Sequence, residues 1–229
     1  MTVTPTPHLT SLTLRPDGAA PRAVVLLLHG GRANALTPPP RANLPALRML
    51  PFAAAIRRAT RGSGVAIGAV RYRHRGWNGT RADAAKDAAR ALAELEGLAG
   101  PVPVVLVGHS MGGRAALRVA GDPRVRGVVA LAPWCPPDEP VAHLVGKPLF
   151  LLHDEADRVI EARSTWAFVR RATQAGALAH ALPMPGGGHA MLAGARAWHR
   201  TTAALVAGVL DAEPGSPPPL LLPPRPRSG

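Results

Sequence analysis

Two short segments, Ala23–Leu28 and Val102–Val107, are apolar at every position except Pro103. A strand with one face in water alternates apolar and polar residues; these do not, so both faces must be covered. Further strand-like segments follow at Val65–Tyr72, Val125–Ala132, Pro148–His153 and Ala179–Pro183. Between them lie helix-like segments at 44–60, broken by Pro51, at Thr80–Leu98, Met111–Ala120, Glu161–Ala175 and His189–Leu210. Over Thr80–Leu98 the 3.6-residue period puts Asp83, Asp87 and Glu94 on one face and alanines and leucines on the other. Strands alternating with helices, joined by right-handed crossovers, predict an α/β fold: a doubly wound, mostly parallel sheet flanked by helices. His8–Leu14 alternates and precedes a Pro-Asp-Gly turn at 16–18, which predicts an antiparallel edge strand.

The expected organisation is one domain over residues 1–212 and a proline-rich tail, residues 213–229, that can join neither helix nor sheet. With 47% apolar residues the chain can build a core, and disorder of the whole chain is excluded. The longest apolar run, Ala23–Leu28, is far short of the ~20 residues of a membrane helix. The first residues have no basic-then-apolar leader pattern, and Cys135 is the single cysteine. A cytoplasmic protein with no disulfide, no membrane partner and no cysteine-based zinc site is the expectation. The net charge of +13 is uneven: residues 22–81 hold eleven arginines and no acid. An arginine-rich nucleic-acid-binding protein is the alternative of another class, but that stretch lacks interleaved aromatics and any reading motif, so no nucleic-acid partner is expected. Oligomeric state stays open.

The chemistry centres on Gly108-His109-Ser110-Met111-Gly112, which directly follows one apolar segment and directly precedes a helical one. A serine on a sharp strand-to-helix turn projects its hydroxyl above the sheet edge, beside a helix N-terminus that favours developing negative charge. Such a hydroxyl needs a base. Of the nine histidines, His189, in Gly186-Gly187-Gly188-His189, lies between the last strand and the last helix, where a flexible loop reaches the same sheet edge. His180 sits in a strand, His199 lies ten residues further on, and His109 points away from the serine by the geometry of the turn. The imidazole needs an orienting acid, and the loop after Pro148–His153 offers Asp154 and Asp157. Asp157 has the longer reach past the strand end; Asp154 is the rival. For an oxyanion the donors expected are the backbone N–H of Met111 and of Gly31, with Arg32 as fallback.

The set His29-Gly30-Gly31, Gly108-His109-Ser110-Met111-Gly112-Gly113, Asp157 and His189, in the order Ser…Asp…His, resembles the α/β-hydrolase superfamily. The resemblance runs over roughly residues 9–210 and is nearest to short bacterial hydrolases of the dienelactone-hydrolase and small-carboxylesterase kind. Such enzymes usually carry His-Gly-x-x-Asp in the acid loop; here Asp154 stands in place of that glycine. Dienelactone hydrolases generally use cysteine, so Ser110 speaks against that activity. Lid domains insert in this superfamily between the strands at 125–132 and 148–153, where only a short segment lies, so a minimal, lidless fold is implied. The resemblance implies a serine hydrolase that cleaves small or medium carboxylic esters through an acyl-enzyme, or a thioesterase or acyltransferase with the same triad. The partner expected is a small-molecule ester, with no cofactor and no metal: there is no P-loop and no metal-ligand spacing. Trp77 and Trp134 are candidates for an apolar wall. Arg32, Arg73 and Arg75 follow segments that end at the catalytic edge. Either they face the pocket and favour a carboxylate or phosphate on the substrate, or they are this chain's default cations and face solvent.

Overall fold

The computed structural model describes residues 12–15, 20–40 and 42–212. The proline-rich segment 213–229, the turn at 16–18 and residues 8–11 of the first expected strand lie outside the described residues. The strands are β1 (Leu12–Arg15), β2 (Ala23–Leu28), β3 (Val65–Val70), β4 (Val104–His109), β5 (Val125–Leu131), β6 (Pro148–His153) and β7 (Leu178–Pro183). They form one sheet in the order β1-β3-β2-β4-β5-β6-β7, with β1 antiparallel and the other six parallel.

Each buried strand splits its side chains between two cores. Val24, Leu26, Leu28, Leu106 and Ala130 face one side, which α3 (Asp83–Ala99), α4 (Met111–Val119) and α5 (Ala162–Gln174) cover. Val25, Leu27, Val105, Val107 and Phe150 face the other, where α2 (Leu50–Ala59) and α6 (Ala195–Asp211) supply Phe52, Ile56, Trp198 and Val206. This two-sided burial is why β2 and β4 carry no polar alternation. The chain winds from β2 to β3 on one side, then returns to place β4 on the other. The loops after β2 and β4 therefore part at the switch point, where open α/β sheets bind ligands. Residues 132–147, between β5 and β6, hold one 3-10 turn (Ala142–Leu144) and no lid.

β4 lies two residues later than the expected Val102–Val107, and β3 ends at Val70, not Tyr72. Three helix boundaries also differ from expectation. The break at 44–60 falls at Met49, between α1 (Leu44–Arg48) and α2, not at Pro51. Proline has no N–H for the carbonyl four residues back, so the helix has to restart just before it. The helix expected from Thr80 begins at Asp83, because Asn78 and Ala82 are left-handed (φ 64° and 46°). The last helix begins at Ala195, not His189: Gly186, Gly187, Gly188, Met191 and Gly194 all have positive φ, which a right-handed helix excludes. Asp83 and Asp87 are also not on a solvated face. Both are buried; Asp87 accepts Arg73 Nε at 2.6 Å and Arg90 Nη1 at 3.3 Å, and Asp83 accepts Asn78 Nδ2 at 2.7 Å and Arg81 Nε at 3.0 Å. Acids just beyond the acid-free stretch thus neutralise part of its arginine charge.

Candidate active site

β4 ends at His109 and α4 begins at Met111, so Ser110 makes the turn by itself, at φ 54° and ψ −119°. A non-glycine residue held there stores on the order of 1–3 kcal/mol of strain. The flanking glycines are required by contact. A Cβ on Gly112 would lie 2.2 Å from the Leu28 carbonyl oxygen, and one on Gly108 2.3 Å from that of Gly112. The start of α4 is thereby pressed against the end of β2. Gly112→Ala has no flexible side chain to displace, and overpacking of this kind costs ~1–3 kcal/mol. The melting temperature is expected to fall by about 3–10 °C in a scanning calorimeter. A wild-type value would mean that the elbow does not depend on this contact.

The structure brings Ser110, His189 and Asp157 together. His189 Nε2 lies 2.9 Å from Ser110 Oγ, and His189 Nδ1 lies 2.8 Å from Asp157 Oδ2. With Nδ1–H donating to the carboxylate, Nε2 is free to accept from the serine hydroxyl. Burial by itself would raise the Asp157 carboxyl. The N–H groups of Val159 and Ile160, at 2.8 and 3.1 Å, and His189 outweigh burial and hold the carboxyl below the ordinary aspartate range. Asp154 binds backbone instead. Its Oδ2 accepts the Gly188 N–H at 2.7 Å and its Oδ1 the Ala156 N–H at 3.0 Å. It holds the main chain of the histidine loop, not the imidazole.

Two histidines that the sequence does not single out support this chain. His153 is fully buried; Nε2–H is shared between Asp157 Oδ2 (3.1 Å) and the Ile160 carbonyl (3.0 Å), and Nδ1 pairs with Thr165 Oγ1 (2.7 Å). Burial lowers its pKa, so it stays neutral beside the carboxylate. His109 donates Nε2–H to the His189 carbonyl at 2.9 Å. The histidine loop is thus held from one side by Asp154 and from the other by His109. A signal for His109 was available: period 2 puts it on the face of Val105 and Val107, the same side as the loop that enters α6. His153 left none, because its partners come from the loop and from the helix α5 beyond it.

Burial, with the nearby His189 and Arg48, pushes the His109 pKa down to about 3. Burial likewise lowers His29 and His153. In the unfolded chain histidine titrates near 6.5, so below that pH the unfolded state takes up protons that the fold excludes. This part of the stability is complete above pH 6.5 and is lost as pH falls from 6.5 toward 3. Melts followed by circular dichroism should show a falling midpoint between pH 6.5 and 4, and His109→Gln should flatten part of that fall. A slope unchanged in His109→Gln would remove His109 from the acid response.

The remaining candidates divide. The N–H groups of Gly31 and Met111 meet no protein acceptor among the described residues, which leaves both free as donors. Gly31 also packs so tightly that a Cβ would lie 2.3 Å from Met111 Cε and 2.5 Å from the Arg75 carbonyl oxygen. Its loop is anchored by buried His29, whose Nδ1 donates to the Gly30 carbonyl (2.7 Å) while Nε2 accepts from Asn43 Nδ2 (3.1 Å). The fallback donor Arg32 does not serve: its N–H is spent on the Arg75 carbonyl at 2.9 Å, and its side chain is exposed. Arg73 is a correction too. Its guanidinium and its N–H both bind buried Asp87, so it turns to α3 and not to the pocket. Arg75 is half-buried, and its backbone joins Thr37 and Arg32. Trp77 is buried and Trp134 half-buried; their rings meet edge to face at 6.2 Å. Cys135 is buried, which with Glu139 nearby drives its thiol pKa up and keeps it protonated. Leu44 and Leu47 on α1, Val159 beside Asp157 and Leu192 beside His189 are each more than half exposed. No group of metal-ligating side chains and no helix long and apolar enough to cross a membrane occurs among the described residues.

A family model for the alpha/beta hydrolase fold matches residues 24–175. The chain belongs to the α/β-hydrolase family. Solved structures share this hydrolase's fold at low identity. A serine hydrolase homologue from Coxiella burnetii is 16% identical with a TM-score of 0.63, over 85% of this chain and 90% of that one. Est1E from Butyrivibrio proteoclasticus, with ferulic acid bound, is 12% identical with a TM-score of 0.63, over 88% and 96%. A serine hydrolase without a lid from Xanthomonas campestris is 19% identical with a TM-score of 0.54, over 85% and 87%. Comparison with curated proteins finds no match.

Proposed function

We propose that this hydrolase cleaves carboxylic esters of small or medium size through an acyl-enzyme. The observation that carries the reading is the unbroken chain from Ser110 Oγ through His189 to Asp157, at 2.9 and 2.8 Å. Ser110 Oγ attacks the ester carbonyl carbon while His189 Nε2 takes the hydroxyl proton, and Asp157 stabilises the imidazolium. The carbonyl oxygen, now negative, accepts from the N–H groups of Met111 and Gly31 at the N-terminus of α4. As the tetrahedral adduct collapses, the C–O bond to the alcohol breaks and His189 returns the proton to the leaving oxygen. Water then attacks the acyl carbon by the same route, its proton passing through His189 to Ser110, and the carboxylic acid leaves. The fold relative Est1E binds ferulic acid, a carboxylic acid of the kind that ester cleavage releases.

The test is a panel of p-nitrophenyl esters and acyl-thioesters of graded acyl length, run beside a fluorophosphonate label. Ester turnover with an optimum at short or medium chains, together with one labelled serine, is the expected result. Faster turnover of thioesters would make the chain a thioesterase. Absence of both turnover and label would overturn the reading.

A further inference from the structure

α4 carries Arg114 and Arg118 one turn apart, and both aim Nε at one carboxylate. Arg114 Nε binds Glu139 Oε2, and Arg118 Nε binds Glu139 Oε1 at 2.6 Å. Glu139 is 1% exposed and Arg114 7%. One carboxylate neutralises one guanidinium, so the cluster keeps a positive charge in a largely buried place. The two tryptophans cover the guanidinium faces: Arg114 Cζ lies 3.9 Å from the Trp77 ring centroid and 4.4 Å from that of Trp134. Stacking leaves only the edges available. With Nε spent on Glu139, the terminal nitrogens of both arginines have no protein acceptor among the described residues. They open to a cleft, and a guanidinium presents its donors as a planar fork that matches a carboxylate.

The two arginines and two tryptophans line this cleft of about 660 Å³, together with Asn34, Thr80 and exposed Asp138. Its walls are tied to the catalytic elbow. The N–H groups of Arg114 and Trp134 both donate to the Ser110 carbonyl, at 3.1 and 3.2 Å, and the Trp77 N–H donates to the Arg32 carbonyl at 2.9 Å. Arg114 and Trp134 are thus each one hydrogen bond from the Ser110 main chain, which sets the cleft beside the residue that would hold the acyl chain.

We propose that this cleft is a second anchoring subsite of the active centre, in which Arg114 and Arg118 hold a carboxylate on the far end of the substrate. The proposal rests on the ester reading and narrows it to esters that carry a free acid. Anion selection, one of the two readings open for Arg32, Arg73 and Arg75, is assigned here to arginines on α4. Asp138, at the cleft but in water, opposes an anion; the two stacked guanidinium groups outweigh it, because fully exposed charge is screened most.

The substrates for the test are p-nitrophenyl half esters of succinic, glutaric and adipic acid, each against the neutral butanoyl, pentanoyl or hexanoyl ester. The half ester is expected to have the higher kcat/KM at one of these lengths. Arg118→Gln should lower the ratio of half-ester to neutral kcat/KM about tenfold or more, as loss of a charge-assisted hydrogen bond does. Asp138→Asn should raise it. Arg200→Gln, which removes an exposed charge on α6, should leave the ratio as it is. A separate measurement needs no turnover: calorimetric titration of glutarate into Ser110→Ala, with and without Arg118→Gln. Glutarate binding that depends on Arg118, with no ester hydrolysed by the wild type, would uphold the subsite and sink the ester reading. Ester hydrolysis with no glutarate binding, or ratios indifferent to Arg118→Gln and Asp138→Asn, would overturn the subsite.

Discussion

Ser110→Ala is expected to cut ester turnover by about five to six orders of magnitude and to abolish fluorophosphonate labelling. The hydroxyl is the nucleophile of the proposed mechanism, and nothing else at the turn replaces it: Cys135 is buried with a protonated thiol. Residues of a triad act as a unit, so removing one forfeits most of what the set contributes. A remainder of ~10³–10⁴ over water persists where oxyanion donors are intact, and here those of Gly31 and Met111 are untouched. Folding should survive. The side chain makes one hydrogen bond, to His189, and alanine keeps the same backbone at φ 54°. Intact-mass spectrometry after labelling, with kcat/KM on the best ester of the panel, decides it. An adduct that persists in Ser110→Ala would move the nucleophile elsewhere.

Asp157→Asn is expected to cost on the order of 10⁴ in turnover. Asp157 Oδ1 already accepts from the N–H groups of Val159 and Ile160, so an asparagine keeps its oxygen there. The amide nitrogen is then turned toward His189 Nδ1. An NH₂ at that place donates, which leaves Nδ1 unprotonated and puts the proton on Nε2. That nitrogen cannot then take the proton of Ser110. Asp154→Asn should cost about tenfold or less, because Asp154 meets only the N–H groups of Gly188 and Ala156 and one of its two oxygens survives. Turnover of both variants on one ester ranks the acids. The reverse order would give the orienting role to Asp154.

The structure corrects the sequence reading mainly where backbone leaves regular geometry. Both readings agree over β2, β6 and α4 and place β4 within two residues, because continuous apolar runs and a period of 3.6 mark these segments locally. They part at Met49, Ala82 and the 186–194 loop. There proline or left-handed φ values set the boundary, and only glycine announces those in advance. Met191 and Ala82 give no such warning.

Ser110, His189 and the two-sided sheet were legible because each rests on local pattern: an apolar strand, five residues that turn it into a helix, a glycine-rich loop before the last helix. The choice between Asp157 and Asp154 was not local. It depends on where the loop before α6 crosses the end of β6, and only the fold puts His189 Nδ1 on one carboxylate and the Gly188 N–H on the other. Charge placement was equally out of reach. A run of eleven arginines without an acid reads as one basic surface, yet Arg73 and Arg81 end on Asp87 and Asp83, and the arginines beside the elbow come from α4 instead. A guanidinium extends far from its own Cα and takes its partner from whatever element packs beside it. Sequence order therefore determines which segments form and bury, while helix and loop crossings decide which charges meet.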